Sequence, residues 1–66
     1  MQVTINGESQ TFKQPMNVVE LLERSGLAEK RVAVEINENI VPRSLHASTM
    51  IAEGDRVEII QAIGGG

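Results

Sequence analysis

The chain has 66 residues, a formal net charge of −3 and no cysteine. This length allows one domain, near the lower limit for a hydrophobic core that folds unaided, and the lack of cysteine excludes disulfide frameworks and thiolate metal sites. No segment clusters Lys or Arg, and neither Trp nor Tyr is present, so the sequence lacks the basic and aromatic surface of a nucleic-acid or anionic-membrane binder.

The N-terminal segment predicts a β-hairpin. Apolar and polar residues alternate over Gln2 to Asn6, and Asn6-Gly7 is a strong signal for a two-residue turn. We expect a return strand from about Ser9 to Lys13. Its only large apolar residue is Phe12, which is typical of a polar edge strand, and Pro15 ends the pairing.

The next segment predicts a short helix. Asn17 followed by Glu20 matches the spacing of a capping box. Helical spacing is shared by Val18, Leu21, Leu22 and Ser25. Gly26 stands where a left-handed residue would end the helix, and Leu27 can close a Schellman contact onto the last turn.

The second half of the chain predicts three more strands. Arg31 to Ile36 alternates as a third strand, a polar turn follows at Asn37 to Asn39, and Ile40-Val41 can pair briefly before Pro42 stops it. The stretch from Arg43 to Met50 is expected to be a loop or a single helical turn.

The last strand is the most apolar one and is expected to be central. It runs from Arg56 to Ile63, after a tight turn at Glu53-Gly54-Asp55. Hairpin, helix and three strands can close one sheet if the first and last strands are parallel neighbours. We therefore predict an α+β fold of the β-grasp (ubiquitin-like) type: a mixed sheet of four to five strands with one main helix across it. Residues 1–63 would form the domain and residues 64–66 a flexible tail.

The C-terminal Gly64-Gly65-Gly66 is the most informative feature for function. A chance run of three glycines at this place has a probability of roughly 3 in 10,000, although a cloning remnant or a frayed end is the alternative. Glycine enters another protein's active site without a side chain to clash. A terminal carboxylate is ionised and needs activation before acyl transfer, most simply as a mixed anhydride with AMP.

No phosphate-binding Gly-rich loop precedes the helix, so we expect the ATP site on a partner and no cofactor bound by this chain. A deep substrate cavity is not expected in so small a domain, and no side chain is expected to be catalytic. No apolar run approaches the roughly 20 residues that span a bilayer, and the N-terminus does not look like a signal peptide, so no membrane association and a cytoplasmic location are expected.

Four segments resemble the ThiS family of sulfur carriers in thiamin biosynthesis, and the resemblance covers the whole chain. They are Val34-Glu35-Ile36-Asn37, Ile40-Val41-Pro42-Arg43, Gly54-Asp55-Arg56-Val57-Glu58-Ile59-Ile60 and Ala62-Ile63-Gly64-Gly65-Gly66. The Gly-Gly ending alone is shared with ubiquitin-like modifiers and with the small subunit of molybdopterin synthase. The Ile-Val-Pro-Arg segment is the more specific part.

The resemblance implies a β-grasp carrier that is not itself an enzyme. A ThiF-type adenylating enzyme would use MgATP to convert the Gly66 carboxylate to an acyl-adenylate, and sulfur from a sulfur-donating enzyme would displace AMP. The thiocarboxylate would then give its sulfur to a thiazole synthase of the ThiG type. Gly64 and Gly65 correspond to the flexible part of the tail. A ubiquitin-like modifier, a molybdopterin-type carrier and a plain interaction module stay open as alternatives.

Several other residues have two interpretations. Candidate docking residues for the partner are Ile60, Ala62, Ile63 and Arg43. Burial beneath the loop from Arg43 to Met50 is an equally good explanation of the apolar outer face of the last strand, and Arg43 is more simply an exposed arginine. His46 is expected to be a solvated loop residue. Three acidic residues are expected to form a solvated turn and strand face rather than a metal site: Glu53, Asp55 and Glu58.

Overall fold

The computed structural model describes residues 1–61, which form one five-stranded mixed sheet with an α-helix packed on one face. The elements are β1 (Gln2–Ile5), β2 (Glu8–Thr11), α1 (Val18–Arg24), β3 (Val32–Ile36), β4 (Asn39–Val41), a 3-10 helix (Arg43–Ser48) and β5 (Arg56–Gln61). The strands lie in the order β2-β1-β5-β3-β4, with β1 and β5 parallel and the other pairs antiparallel. The predicted α+β fold of the β-grasp type is confirmed.

The first hairpin forms at the predicted turn, but its return strand is Glu8–Thr11 instead of the predicted Ser9 to Lys13. Ile5 pairs with Glu8, which leaves Asn6-Gly7 as a two-residue turn. Both turn residues have positive φ, 50° and 84°, as a type I′ turn requires. All four residues of β2 are exposed, and β2 lies at the edge of the sheet. Phe12 follows the strand instead of lying in it, and it packs against the core.

Both ends of α1 have the predicted caps. The Asn17 side chain accepts from the Glu20 amide (2.8 Å), and the Glu20 carboxylate accepts from the Asn17 amide (2.9 Å). Gly26 has φ 74°, and the Leu27 amide donates to the Leu22 carbonyl (2.8 Å), which completes a Schellman motif. The remaining position of the helical pattern, Ser25, is the exposed C-cap and does not extend the apolar face.

The second hairpin is tighter than predicted. Its turn is Asn37-Glu38, with φ 52° and 71°, and Asn39 already belongs to β4, where it pairs with Ile36. The segment after Pro42 is a six-residue 3-10 helix, which is longer than the expected loop or single turn.

The core lies between the sheet and α1. Its buried members are Val3, Ile5, Met16, Val18, Leu21, Leu22, Val34, Ile51, Val57 and Ile59. They come from β1, α1, β3 and β5, from the segment before α1 (Met16) and from the segment after the 3-10 helix (Ile51). Each central strand thus contributes the side chains of its inward face to the core. The opposite face of the sheet is not covered by α1, and it carries the exposed Ile40 and Ile60 as well as charged residues.

Candidate functional site

The candidate site is the end of β5, where the chain leaves the sheet toward the glycine tail. The ladder between β1 and β5 has two pairs, Thr4 with Arg56 and Ile5 with Val57. The ladder with β3 continues to the pair of Val32 and Gln61. The segment before the tail is therefore a central strand, which is paired with β3 as far as Gln61, the last described residue.

The Asn6 side chain extends the contact between the first hairpin and β5. The Asn6 Oδ1 accepts from the Ile59 amide at 2.8 Å, and the Asn6 backbone amide donates to the Val57 carbonyl at 2.9 Å. Because β1 turns away at Asn6, this side chain takes the place of a backbone acceptor. The sequence indicated Asn6 only as a turn residue, and no local signal points to its contact with Ile59.

The predicted reactive residue and its tail lie outside the described residues. These are Gly64, Gly65 and Gly66, together with the docking candidates Ala62 and Ile63. Their assigned roles stay predictions.

Ile60 is on the face of the sheet opposite α1, and it is 53% exposed. The alternative that it is buried beneath the segment 43–50 is wrong, because that segment contacts α1 on the helix side. We define the open-face patch as Ala33, Glu35, Ile40, Glu58 and Ile60. In this patch Ala33 pairs with Ile60, and Glu35 lies between Glu58 and Ile40.

Arg43 does not belong to the open-face patch. It begins the 3-10 helix, is exposed, and lines a cavity together with Val19 and Leu22 of α1. The structure thus separates two residues that the sequence analysis grouped as docking candidates, since Ile60 faces away from the helix.

The expectation for His46 is wrong. Its side chain is buried, with 6% exposure, and its Nε2 donates to the Val41 carbonyl at 3.0 Å. Leu45, which a hydrophobicity pattern would place inside, is 48% exposed. The three-residue repeat of the 3-10 helix turns His46 toward the body of the protein, where the imidazole N–H finds a backbone acceptor.

The cavity that Arg43 lines is a surface pocket rather than an enclosed one. It is half-open, has a volume of about 480 Å³ and lies between α1, the loop that precedes β3, and the 3-10 helix. Its charged lining residues are Lys30, Arg31 and Arg43. No local sequence pattern indicated this cluster, because Arg43 is separated from the other two residues by a complete hairpin.

The acidic residues around the last turn have structural partners. Asp55 accepts from the Ala52 amide (2.8 Å) and from the Asn37 side chain (3.0 Å), and Glu53 accepts from the Gln2 amide (3.0 Å). They tie the turn before β5 to β1 and to the second hairpin. Within residues 1–61, no group of three or more metal-ligating side chains is found. In the same range no helix has the length and apolar character needed to cross a membrane.

Comparison with known proteins gives one consistent family. The model of the ThiS family matches residues 3–66, which include the glycine tail. The chain is 33% identical to the sulfur carrier protein ThiS of Escherichia coli (strain K12) over the full length of both chains. The crystal structure of the thiamine biosynthesis protein ThiS from Geobacter metallireducens superposes with a TM-score of 0.85, at 35% identity and with full coverage of both chains.

A further relative is much longer than this chain. A thiazole synthase of Paramagnetospirillum magneticum is 44% identical over 66 residues, which are all of this chain and 20% of that protein. The chain thus spans about a fifth of the length of that relative.

Proposed function

The chain belongs to the ThiS family, and from this premise we propose that it is a sulfur carrier of thiamine biosynthesis whose reactive group is the Gly66 carboxylate. The observation that carries the proposal is the similarity to a protein named as a sulfur carrier. The alignment covers all 66 residues, including the glycine tail. The similarity to part of a thiazole synthase supports the thiazole ring as the destination of the sulfur.

The proposed chemistry has two steps. A carboxylate oxygen of Gly66 attacks the α-phosphorus of ATP, which releases pyrophosphate and leaves an acyl-adenylate. A sulfide-level sulfur nucleophile then attacks the acyl carbon, and the carbon–oxygen bond to AMP breaks. The product is a thiocarboxylate that keeps one carboxyl oxygen and gains one sulfur. Adenylation is needed because AMP is a far better leaving group than the oxide of an ionised carboxylate.

The fold supports this chemistry by fixing where the tail begins. β5 is central and is paired with β3 through Gln61, so the direction of the chain at the exit is set by the sheet. Glycine then offers the least steric hindrance to a partner's active site. In this proposal the chain contributes no catalytic side chain and binds no cofactor, and MgATP is held by the partner.

We propose three partners for the carrier in the cytoplasm: a ThiF-type adenylating enzyme, a sulfur-donating enzyme and a thiazole synthase. The thiazole synthase has the most direct support, because a relative with that name contains a segment similar to this whole chain. The other two follow from the chemistry, since an ATP site and a sulfur source must be supplied.

The open-face patch is the proposed docking surface near the exit of the tail. Ile60 and Ile40 are 53% and 71% exposed, and Ile60 lies one residue before Gln61. Glu35 and Glu58 are directly paired on the same face of the sheet, an arrangement in which like charges repel. A partner that places apolar side chains on the isoleucines and a cation between the carboxylates would relieve this repulsion.

Intact-protein mass spectrometry tests the carrier proposal. The chain is incubated with a ThiF-type enzyme, MgATP and sulfide, and a variant that lacks Gly66 is the control. We expect a mass gain equal to the exchange of one oxygen for sulfur, absent from the control. The mass of the protein isolated from its own cells must also show that it ends at Gly66. An unchanged mass with an active partner enzyme would contradict the proposal, and conjugates with other proteins would indicate a modifier.

The docking surface is tested separately with Ile60→Asp. Met50→Asp is the matched control, because Met50 is similarly exposed (56%) but lies beside the N-terminal end of α1. Losing an apolar contact of this size costs about 1–2 kcal/mol, so we expect KM for the carrier to rise by about tenfold in the Ile60 variant alone. Equal KM values for the two variants, both folded by circular dichroism, would exclude this surface.

A further inference from the structure

The cavity beside α1 concentrates positive charge in an acidic protein. Lys30, Arg31 and Arg43 line it, and they are three of the six Lys and Arg residues in a chain of net charge −3. None of its lining residues is acidic in the part of the chain that the structure describes. The occupant that this surface favours is therefore an anion.

The same cavity also has apolar lining residues, which we call the floor. The floor consists of Val19, Leu22, Ala28 and Val32, with the buried ring of His46 beside them. An inorganic anion would leave this floor without a partner. The chemistry that fits both parts is an aliphatic side chain flanked by carboxylates.

The cavity lies where the chain leaves the sheet. Val32 lines it and pairs with Gln61, the last described residue of β5. A molecule seated in the cavity is therefore held beside the start of the tail.

We propose that this cavity is a docking site for an acidic, aliphatic segment of the enzyme that receives the tail. Carboxylates of the segment pair with Arg31, Arg43 and Lys30, and an aliphatic side chain covers Val19 and Val32. The inference rests on the proposed function, since it takes the partner to be an enzyme that acts on Gly66. It adds a second contact surface, on the helix side of the sheet, to the open-face patch.

The form of the cavity favours a protein segment over a small anion. All three cations are exposed residues at a half-open rim, and exposed charges give a small ligand little orientation. The buried polar side chain of the cavity, His46, already uses its Nε2 to bind the Val41 carbonyl. A macromolecule covers the rim when it binds, excludes water from the charge pairs and so strengthens them.

Charge reversal tests the rim. Arg31→Glu and Arg43→Glu are compared with Lys13→Glu, which makes the same change in net charge at an exposed position after the edge strand β2. The measurement is pyrophosphate release by a ThiF-type enzyme as a function of carrier concentration. We expect KM to rise by about tenfold in the two Arg variants and by less than about twofold in the Lys13 variant, with kcat unchanged. At 1 M salt, where the Debye length is about 3 Å, the difference should largely vanish.

A cavity-filling variant tests the floor without changing charge. Ala28→Phe places a ring in the cavity from an exposed position, so the fold should survive, as a melting curve can verify. We expect it to raise KM as the Arg variants do. If Ala28→Phe is neutral, the cations only steer the encounter and the docking site is refuted.

The variants are measured with both the adenylating enzyme and a thiazole synthase. If the Arg variants match Lys13→Glu in KM for the adenylating enzyme and also in affinity for a thiazole synthase, the inference fails. If the native sequence gains sulfur but all variants have the same KM, the docking site is overturned and the carrier function stays intact. If the native sequence is never adenylated, both the docking site and the carrier function are overturned.

Discussion

Replacing Asn6 tests the contact that holds β5 just before the tail. Asn6 has two roles. It adopts the left-handed conformation of the hairpin turn (φ 50°), and its Oδ1 accepts a hydrogen bond from the Ile59 amide at 2.8 Å. Three substitutions separate these roles. Asn6→Gly keeps the turn and removes the acceptor, Asn6→Ala removes both, and Asn6→Asp keeps both.

The magnitudes follow from the two roles. A lost hydrogen bond that leaves a part-buried amide without its acceptor costs about 1 kcal/mol. Alanine in the left-handed region costs about 1 kcal/mol more, because it has neither the short polar side chain of Asn nor the conformational freedom of Gly. We therefore expect the free energy of unfolding to fall by about 1 kcal/mol in Asn6→Gly and by about 2 kcal/mol in Asn6→Ala. Asn6→Asp should stay close to the native value. A domain of this length has roughly 3–10 kcal/mol in total, so these losses are measurable.

Urea unfolding and amide hydrogen exchange are the assays. Unfolding gives the free energies, and exchange reports on the Ile59 amide directly. We expect that amide to lose protection in the Gly and Ala variants and to keep it in the Asp variant. A Gly variant as stable as the native chain, with the Ile59 amide still protected, would refute the role assigned to the Asn6 side chain. Equal losses in Gly and Ala would refute the role of the turn conformation.

Four further substitutions test packing, hydrogen bonding and charge at single positions. Ile59→Ala should cost about 2–4 kcal/mol because Ile59 is in the core, whereas Ile60→Ala should cost less than about 0.5 kcal/mol, and urea unfolding of the pair checks this. His46→Ala should cost about 1–3 kcal/mol, because the part-buried Val41 carbonyl loses its donor. The melting temperature should fall by roughly 4–8 °C for each kcal/mol lost, and a melting temperature equal to the native one would contradict this. Glu58→Lys should raise stability by a few tenths of a kcal/mol by replacing repulsion with attraction to Glu35, and the gain should disappear in 1 M salt.

Local signals were sufficient for the elements of the fold. Asn6-Gly7, the pair Asn17 and Glu20, and Gly26-Leu27 each act within a few residues of one another, so their turn and cap geometry is determined by covalent neighbours. The apolar character of β5, the highest of the predicted strands, likewise predicted its central place in the sheet. The glycine ending and the Ile-Val-Pro-Arg segment indicated the family without any knowledge of the structure.

The surfaces depended on contacts between residues that are distant in sequence. A two-residue turn at Asn37-Glu38 sets the register of β4, and the 3-10 helix that follows carries His46 inward and Arg43 to the cavity. The sequence alone thus determined the strands, the helix caps and the family, because these depend on residue type and short spacing. Only the tertiary structure decided which face Ile60 occupies, what the Asn6 side chain binds and which cations meet, because each depends on how separate elements pack.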